Sequence, residues 1–420
     1  MTTRRLKLEG FDGLRALAAC TVLTYHVALW SGYGAMRGVA SLLWELKGGV
    51  AVFFVISGTL LYLPYARAIR DGRALPNLRG YAHRRVLRIV PAYWVALTLF
   101  VIGPFGAVLG ASLWRYYALS QIYTQQLVST GLGVSWSLCV EVTFYALLPL
   151  FAALAARLAR SRSHRGRVRM QLALIAATAT ASLVLRFLEA GSLSAPTLHA
   201  GTTLMVSLPG LLDWFAIGMA LAVVRAELEV ARAAGWMVAR LASRPACCVV
   251  LAFALFLAAL PFQHGDVFLP WYGVVTHVAM GLGSGALVLA VIAPRPTSSD
   301  GFTRRLLCHP VATWAGTISY GIYLWHFPVL TLIGPHLSSH PGSASIGTVA
   351  VTWALVIAGG VGMGAASWYL VERPFQRVFG PRPTAARAVD PAGRSAEVDV
   401  TVQASNKALN PSGVVVDHLA

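Results

Sequence analysis

The stretch FDGLRALAACTVLTYHVALW, residues 11–30, decides the class of fold. It is apolar enough, and at about 20 residues long enough, to cross a bilayer as a helix. It nevertheless carries Asp12, Arg15 and His26. A charge at the bilayer centre costs at least about 2.5 kcal/mol on insertion scales, so an ionisable residue inside a membrane helix indicates a functional site. The stretch therefore predicts a first membrane-spanning helix that carries part of such a site.

The composition extends this prediction to the whole chain. Of the 420 residues, 57% are hydrophobic and 12% are charged, whereas soluble domains contain about 25% charged residues. Apolar stretches long enough to span the bilayer fall at 11–30, 46–64, 88–108, 136–158, 171–189, 204–225, 246–263, 270–293, 312–333 and 346–370. We predict an all-α fold, a polytopic membrane helical bundle with about ten transmembrane helices within residues 1–375. Residues 376–420 are rich in Ala, Arg, Pro and Ser, and this composition predicts a disordered cytoplasmic tail.

The formal net charge of +18 follows membrane topology. If the N-terminus is cytoplasmic, all but five of the 34 Lys and Arg residues fall in or beside cytoplasmic segments, as the positive-inside rule requires. The exceptions are Arg15, Arg37, Lys47, Arg115 and Arg186. This asymmetry predicts a multi-pass protein of the cell inner (plasma) membrane with both termini in the cytoplasm, and with membrane lipid rather than nucleic acid as a partner. The five cysteines show no metal-ligand spacing, so no metal site is predicted.

Arg15 and His26 share one face of the first predicted helix. Their separation of 11 residues brings them within about 20° of a whole number of turns, with a rise of about 16 Å. Asp12 lies three residues before Arg15, which is close enough for an ion pair. One interpretation of this pattern is two functional groups at two depths of the membrane. The alternative is structural, with Arg15 reaching the inner headgroups and His26 satisfying a helix contact.

A second cluster surrounds a carboxylate in another apolar helix. Glu141 lies within GVSWSLCVEVTFYALLPL, residues 133–150, near Trp136, Ser137 and Tyr145. A buried carboxylate needs a His, Arg or hydroxyl partner. Glu141 is therefore either part of a functional site or a structural hydrogen-bond anchor.

Two more clusters complete the set of ionisable groups. The sequence GYAHRRVLRIVPAYW contains Arg84, Arg85 and Arg88 at a predicted helix entrance. These arginines are either topogenic or, because guanidinium binds phosphate bidentately, a site for a nucleotide-containing ligand. The sequence TISYGIYLWHFPVL contains His326, for which structural and functional roles are both open.

Taken together, these stretches resemble the acyltransferase-3 family of integral-membrane acyltransferases, in order over about residues 9–375. Arg15 and His26 stand where the family has an Arg or Lys followed, after ten residues, by a His. The stretches GGVAVFFVISGTLL, RRVLRIVPAYW, SWSLCVEVTFYALLP, SYGIYLWHFP and YLVERPF resemble its later motifs. One position departs from the pattern, since many relatives have an acidic residue where this chain has Ala51.

The resemblance implies an acyl-CoA donor, acetyl-CoA being the first choice, as co-substrate, with no bound cofactor. Coenzyme A is a polyanion, and its phosphates need cationic partners near the inner face. The residues predicted to hold acyl-CoA are Arg15, Arg84, Arg85 and Arg88. His26 is the predicted general base, because imidazole, with an unperturbed pKa of about 6.5, suits proton transfer at neutral pH.

Glu141 and Arg15 complete the predicted catalytic set with His26. Glu141 would either orient His26, as a carboxylate does in hydrolytic triads, or bind acceptor hydroxyls. Arg15 is a candidate donor to a developing oxyanion. The residues predicted to bind the substrate are Trp136, Ser137, Tyr145 and His326.

The predicted function is that of a membrane O-acyltransferase. It would move an acetyl or other short acyl group from acyl-CoA to a hydroxyl of a carbohydrate, glycolipid or glycosylated natural product, so its acceptor partner would be a glycan or glycoside. The alternative is a multispan transporter or exporter, in which intramembrane His, Glu and Arg form a proton or substrate relay. A catalytically inactive scaffold is disfavoured, because every motif position named above except Ala51 is present.

Overall fold

Long helices make up the architecture and surround the charged residues of the first span. The computed structural model describes residues 10–31, 41–103, 112–124, 130–192, 204–230, 237–260, 271–292, 301–337 and 345–380. These ranges contain helices and connecting turns and no strand, which confirms the all-α prediction. Most of the predicted tail, residues 381–420, lies outside them.

The described part of the chain contains ten helices of 15 residues or more. The first five are α1 (Phe11–Trp30), α2 (Gly49–Asp71), α3 (Leu78–Ile102), α4 (Trp136–Ala159) and α5 (His164–Ser192). The other five are α6 (Leu208–Leu228), α7 (Pro245–Ala259), α8 (Trp271–Ile292), α9 (Ser319–Leu337) and α10 (Ile346–Ser367). Shorter helical segments are Ser41–Glu45, Leu46–Gly48, Leu113–Tyr117, Gln121–Tyr123, Gly133–Ser135, Met237–Ala242, Phe302–Leu307, Pro310–Thr317, Trp368–Glu372 and Arg373–Phe379.

Seven helical stretches in the described ranges are long and apolar enough to cross a membrane. They are Phe11–Trp30, Leu46–Asp71, Leu78–Ile102, Gly133–Ala159, His164–Glu189, Gly273–Ile292 and Ile346–Phe379. Helices α6 and α9 are not among them, and α7 is a shorter apolar helix. The fold is therefore a polytopic helical membrane bundle, whereas the predicted count of about ten spans is not confirmed.

A side-chain cap sets the start of α3. The Asn77 side chain accepts the backbone N–H groups of Arg79 and Gly80, at 2.9 and 3.4 Å, which satisfies donors that the first turn leaves unpaired. The helix consequently begins at Leu78, earlier than the predicted span 88–108. Its arginine-rich first turns are helical and continuous with the apolar part.

Close packing positions α2 against α6. Gly58 of α2 faces Gly218 of α6, and a Cβ at either glycine would overlap backbone atoms of the other helix. Small residues let membrane helices approach closely, which favours van der Waals contact where lipid provides no hydrophobic driving force between helices. Gly321 and Gly364 bring α9 and α10 together in the same way. These glycines set the spacing of helices that line the site.

Helix α1 packs against other helices over part of its surface, while Leu17 and Leu29 are exposed. It packs on Pro310–Thr317, on α2 and on α9. The contact near its start is close, because a Cβ at Gly316 would overlap the carbonyl oxygen of Asp12. Arg15 near its start and His26 near its end therefore lie in protein surroundings.

We expect Gly218→Ala to lower the free energy of unfolding by about 1–3 kcal/mol, because the added methyl group must displace the α2 backbone. Gly362→Ala in α10 is the matched control, since nothing lies within 4 Å of a Cβ built there. The control should unfold at or above the wild-type midpoint, because alanine favours a helix over glycine. Thermal unfolding of detergent-purified protein measures both variants, and equal midpoints would contradict the packing described.

Candidate active site

A cavity lined by both polar and apolar side chains lies among α1, α2, α3, α4 and α9, and we call it the arginine chamber. Its charged and polar lining residues are Arg15, Ser57, Arg85, Arg88, Ser137, Glu141, Tyr145, Ser319, Tyr320 and Tyr323. Apolar side chains such as Val50 and Phe53 complete the wall. Among these lining residues three arginines stand against one carboxylate, a balance that suits an anionic ligand.

Two of the ionisable groups in the arginine chamber have partners within the bundle. The Ser57 hydroxyl donates to Glu141 Oε1 at 2.8 Å and links α2 to α4. Arg15 Nη1 donates to Asp12 Oδ1 at 2.9 Å, one turn away on α1. Because buried charges persist only when they are paired or hydrogen-bonded, these contacts explain how α1 and α4 retain ionisable side chains.

Arg85 has a hydrogen-bond donor for which the described residues offer no acceptor. Its guanidinium lies 5.9 Å from the centroid of the Tyr145 ring, a cation–π contact. Its Nε atom is buried and has no hydrogen-bond partner among the described residues. A buried donor without an acceptor costs about 1–3 kcal/mol, so an anionic oxygen of a ligand would be stabilising at this position.

A second cavity adjoins the first, and we call it the histidine cavity. Val50 and Tyr323 line both cavities and form the wall between them. The polar and aromatic residues that line the histidine cavity are Tyr25, His26, Lys47, Trp136, Arg186, Trp214, Thr276, His277, Tyr323 and Phe327. Hydrogen bonds hold the wall, since the Tyr323 hydroxyl donates to the Val134 carbonyl oxygen at 3.1 Å and lies 2.7 Å from Ser137 Oγ.

His26 is held against His326 at the edge of the histidine cavity. His26 Nδ1 lies 2.8 Å from the carbonyl oxygen of Val22 and 3.2 Å from Nε2 of His326. His326 Nδ1 lies 3.3 Å from the carbonyl oxygen of Ile322, and the His326 side chain is fully buried. The pair therefore consists of one imidazole that a substrate can reach and one behind it.

All but two of the predicted site residues line one of the two cavities. Those in the arginine chamber are Arg15, Arg85, Arg88, Ser137, Glu141 and Tyr145. His26 and Trp136 line the histidine cavity. One of the two exceptions is His326, predicted to bind substrate, which is fully buried behind His26 and lines neither cavity. Arg84 is exposed and is not among the lining residues of either cavity. Of the three arginines predicted at the start of the third span, the structure thus brings two to the chamber.

Glu141 and His26 have different partners from each other. Sequence reasoning leaves two roles open for Glu141, and one of them is to orient His26. In the described residues Glu141 accepts from Ser57, whereas His26 contacts His326. The geometry therefore gives no support to an orienting role for Glu141.

His277 is a residue of the histidine cavity that sequence reasoning missed. Its Nε2 lies 3.0 and 2.9 Å from the two carboxylate oxygens of Asp213, and Ser182 Oγ donates to Asp213 Oδ1 at 3.2 Å. The Trp214 ring stacks on the His277 ring, with centroids 4.3 Å apart. A signal was available, because an ionisable His within an apolar stretch is the pattern that identified His26.

Two adjoining cavities thus lie inside a helical membrane bundle, and their lining includes half-buried arginines, a hydrogen-bonded carboxylate and one of two paired histidines. Such a lining is typical of membrane proteins that bind a polar ligand within the bundle. The chain belongs to the acyltransferase-3 family, whose model, described as an acyltransferase domain, matches residues 8–372. This match confirms the resemblance seen in the sequence motifs.

The relatives have names that describe acetyl transfer or nodulation. The chain is 26% identical, over 354 residues, to a Bacillus subtilis protein provisionally named peptidoglycan O-acetyltransferase, covering 78% of this chain and 49% of that protein. It is 25% identical, over 355 residues, to a peptidoglycan O-acetyltransferase of Listeria monocytogenes, covering 80% and 52%. Nodulation protein 10 of Rhizobium leguminosarum is 32% identical over 167 residues, covering 34% and 43%. The chain spans about half the length of the first two relatives. No solved structure matches it.

We expect Asp213→Leu alone to be more destabilising than Asp213→Leu combined with His277→Leu. The single change leaves a buried His277 without its partner, a loss of about 3–5 kcal/mol, whereas replacing both partners with apolar residues is close to neutral. Thermal midpoints of the purified variants measure the difference. A double variant no more stable than the single one would show that this pair does not tie α6 to α8.

Proposed function

We propose that this protein is a membrane O-acyltransferase that moves an acetyl or other short acyl group from acyl-CoA to a hydroxyl of a carbohydrate. Family membership supports acyl transfer. Two relatives that match most of this chain are named as peptidoglycan O-acetyltransferases, which supports O-acetylation and a glycan acceptor. The observation that carries the proposal is the meeting of the arginine chamber and the histidine cavity at Val50 and Tyr323.

Acyl-CoA is the donor whose chemistry fits the arginine chamber. Coenzyme A is a polyanion that stays in the cytoplasm, and Arg15, Arg85 and Arg88 offer guanidinium groups to its phosphate oxygens. In this proposal the chamber faces the cytoplasm, as do both termini, because the positive-inside rule puts most Lys and Arg on that side. The thioester arm then extends toward the wall formed by Val50 and Tyr323.

The acceptor hydroxyl meets the thioester at this wall. Its oxygen attacks the thioester carbonyl carbon, His26 accepts the hydroxyl proton at Nε2, and the C–S bond breaks. The departing thiolate takes that proton and leaves as free CoA. Ser137 is a candidate to donate a hydrogen bond to the developing oxyanion, since its hydroxyl lies at the wall and the Tyr323 hydroxyl already donates to the Val134 carbonyl oxygen.

The histidine cavity is the acceptor site in this proposal. Tyr25, Trp136 and Phe327 give it an aromatic lining, and His26 and His277 add polar groups at fixed positions. Small-molecule sites commonly combine a largely apolar, aromatic lining with a few oriented polar groups. Glycolipids and glycosylated natural products present the same hydroxyl chemistry as a glycan and belong to the same acceptor class.

A transporter or exporter is the second candidate function. The observation that favours it is the adjoining pair of cavities, which would form a path for an acylated or anionic molecule through ionisable groups. Thiol release from acyl-CoA distinguishes the two functions. Acceptor-dependent release by the purified protein supports the transferase, whereas a protein that binds acyl-CoA and releases no thiol with any glycan acceptor supports the transporter.

Arg88→Gln is expected to raise the KM for acyl-CoA by about 10- to 150-fold, since a charge-assisted hydrogen bond contributes about 1.5–3 kcal/mol. Arg84→Gln is the matched control, because Arg84 is exposed on the same helix and outside the chamber lining. The control should leave the KM unchanged. Initial rates of thiol release in membranes measure both variants, and equal effects at the two positions would argue against phosphate binding in the chamber.

His26→Ala is expected to lower kcat for acceptor-dependent thiol release by about 10²–10⁴-fold, the usual contribution of a general base. Acyl-CoA binding should be retained, because His26 lies in the other cavity. Rates are compared at matched protein abundance, with equilibrium binding of labelled acyl-CoA as the control. Equal turnover by the variant and the wild type would make His26 a structural residue.

A further inference from the structure

Only one arrangement of protons lets the neutral pair His26 and His326 satisfy both of its carbonyl contacts. A carbonyl oxygen accepts and never donates, so the Val22 oxygen requires a proton on Nδ1 of His26, 2.8 Å away. The Ile322 oxygen likewise requires a proton on Nδ1 of His326, at 3.3 Å. A neutral imidazole carries a single N–H group. Both Nε2 atoms therefore hold lone pairs when both rings are neutral.

The contact between the two rings fits this arrangement. Nε2 of His326 lies 3.2 Å from Nδ1 of His26. The Nδ1–H group of His26 therefore donates a bifurcated hydrogen bond, to the Val22 carbonyl oxygen and to the lone pair on His326 Nε2. A hydrogen bond in the opposite direction, from Nε2 of His326 to Nδ1 of His26, cannot form in this arrangement, because the protonated Nδ1 of His26 has no free lone pair. The nitrogen left over is Nε2 of His26, on the residue that lines the histidine cavity.

We infer that His326 is a positioning residue for acyl transfer, which acts together with the Val22 carbonyl oxygen to hold His26 in the tautomer whose Nε2 lone pair is available to the acceptor. This inference rests on the proposed function, in which that lone pair takes the acceptor proton. When His26 becomes an imidazolium, its Nδ1–H bond to His326 stabilises the new charge. A triad carboxylate does the same, but it buries a permanent charge, and a neutral imidazole avoids that desolvation cost inside a membrane.

A purely structural role would require different properties of the His326 side chain. The side chain is fully buried, and its Cβ lies 3.6 Å from a Cβ built at Gly360, in ordinary packing distance. A structural residue at this position needs its volume and its bond to Ile322. It does not need an acceptor that reaches His26.

Two substitutions separate the two roles. His326→Asn keeps a donor near the Nδ1 position for Ile322 but is too short to reach His26. His326→Gln is long enough to place an amide oxygen near the Nε2 position, where it accepts from Nδ1 of His26. We expect the Asn variant to lose about 10²-fold in kcat for thiol release, and the Gln variant to lose less than about tenfold. Acyl-CoA binding serves as the folding control, and equal kcat values for the two variants overturn the inference.

The tautomer can also be measured without turnover. Solid-state ¹⁵N NMR of histidine-labelled wild-type protein in lipid distinguishes protonated from unprotonated ring nitrogens, and His26→Gln assigns the His26 signals. We expect a neutral His26 with protonated Nδ1 and unprotonated Nε2. A protonated Nε2 in the neutral ring overturns the inference even if the protein is an acyltransferase. The expected tautomer together with inactive wild-type protein would instead count against the proposed function.

Discussion

Hydrocarbon cannot solvate a charge, and this constraint shapes the interior of the bundle. Two polar contacts of the core join distant parts of the chain. Ser57 of α2 hydrogen-bonds Glu141 of α4, and His26 of α1 contacts His326 of α9. Because the partners belong to different helices, satisfying these groups also fixes the helices relative to one another. The same contacts therefore stabilise the fold and position the groups available for chemistry.

Rules that act within one helix predicted much of this molecule from its sequence. Apolar length predicted the seven helical stretches long and apolar enough to cross a membrane, because a span needs only about 20 consecutive residues, but the predicted count of about ten is not confirmed. The 11-residue separation of Arg15 and His26 predicted one face at two depths, and in the structure the two residues line two different cavities. Helix α3 begins before the predicted apolar stretch 88–108, because the cap at Asn77 acts where hydropathy is low.

Rules that act within one helix cannot predict contacts between helices. The partner of His26 is 300 residues away in the chain, and its position depends on packing through glycines such as Gly321 and Gly364. Helical spacing also failed to select among the arginines of α3, since Arg84 and Arg85 lie four and three residues before Arg88, and both spacings bring side chains to one face. Only the packing of α3 against its neighbours leaves Arg84 exposed.

The proposed function puts the arginine chamber on the cytoplasmic side, and because His26 lies near the other end of α1 from Arg15, it puts the histidine cavity on the opposite side. The most direct test of this central claim is accessibility of single cysteines, introduced after replacement of the five native ones. Leu60→Cys lies in the arginine chamber and Gly273→Cys in the histidine cavity. A membrane-impermeant thiol reagent is applied to vesicles of each orientation, with and without acyl-CoA. We expect Leu60→Cys to be labelled only from the cytoplasmic face and to be protected by acyl-CoA, and Gly273→Cys to be labelled only from the other face without protection. Labelling of both from one face, or no protection of Leu60→Cys at saturating acyl-CoA, would contradict the account.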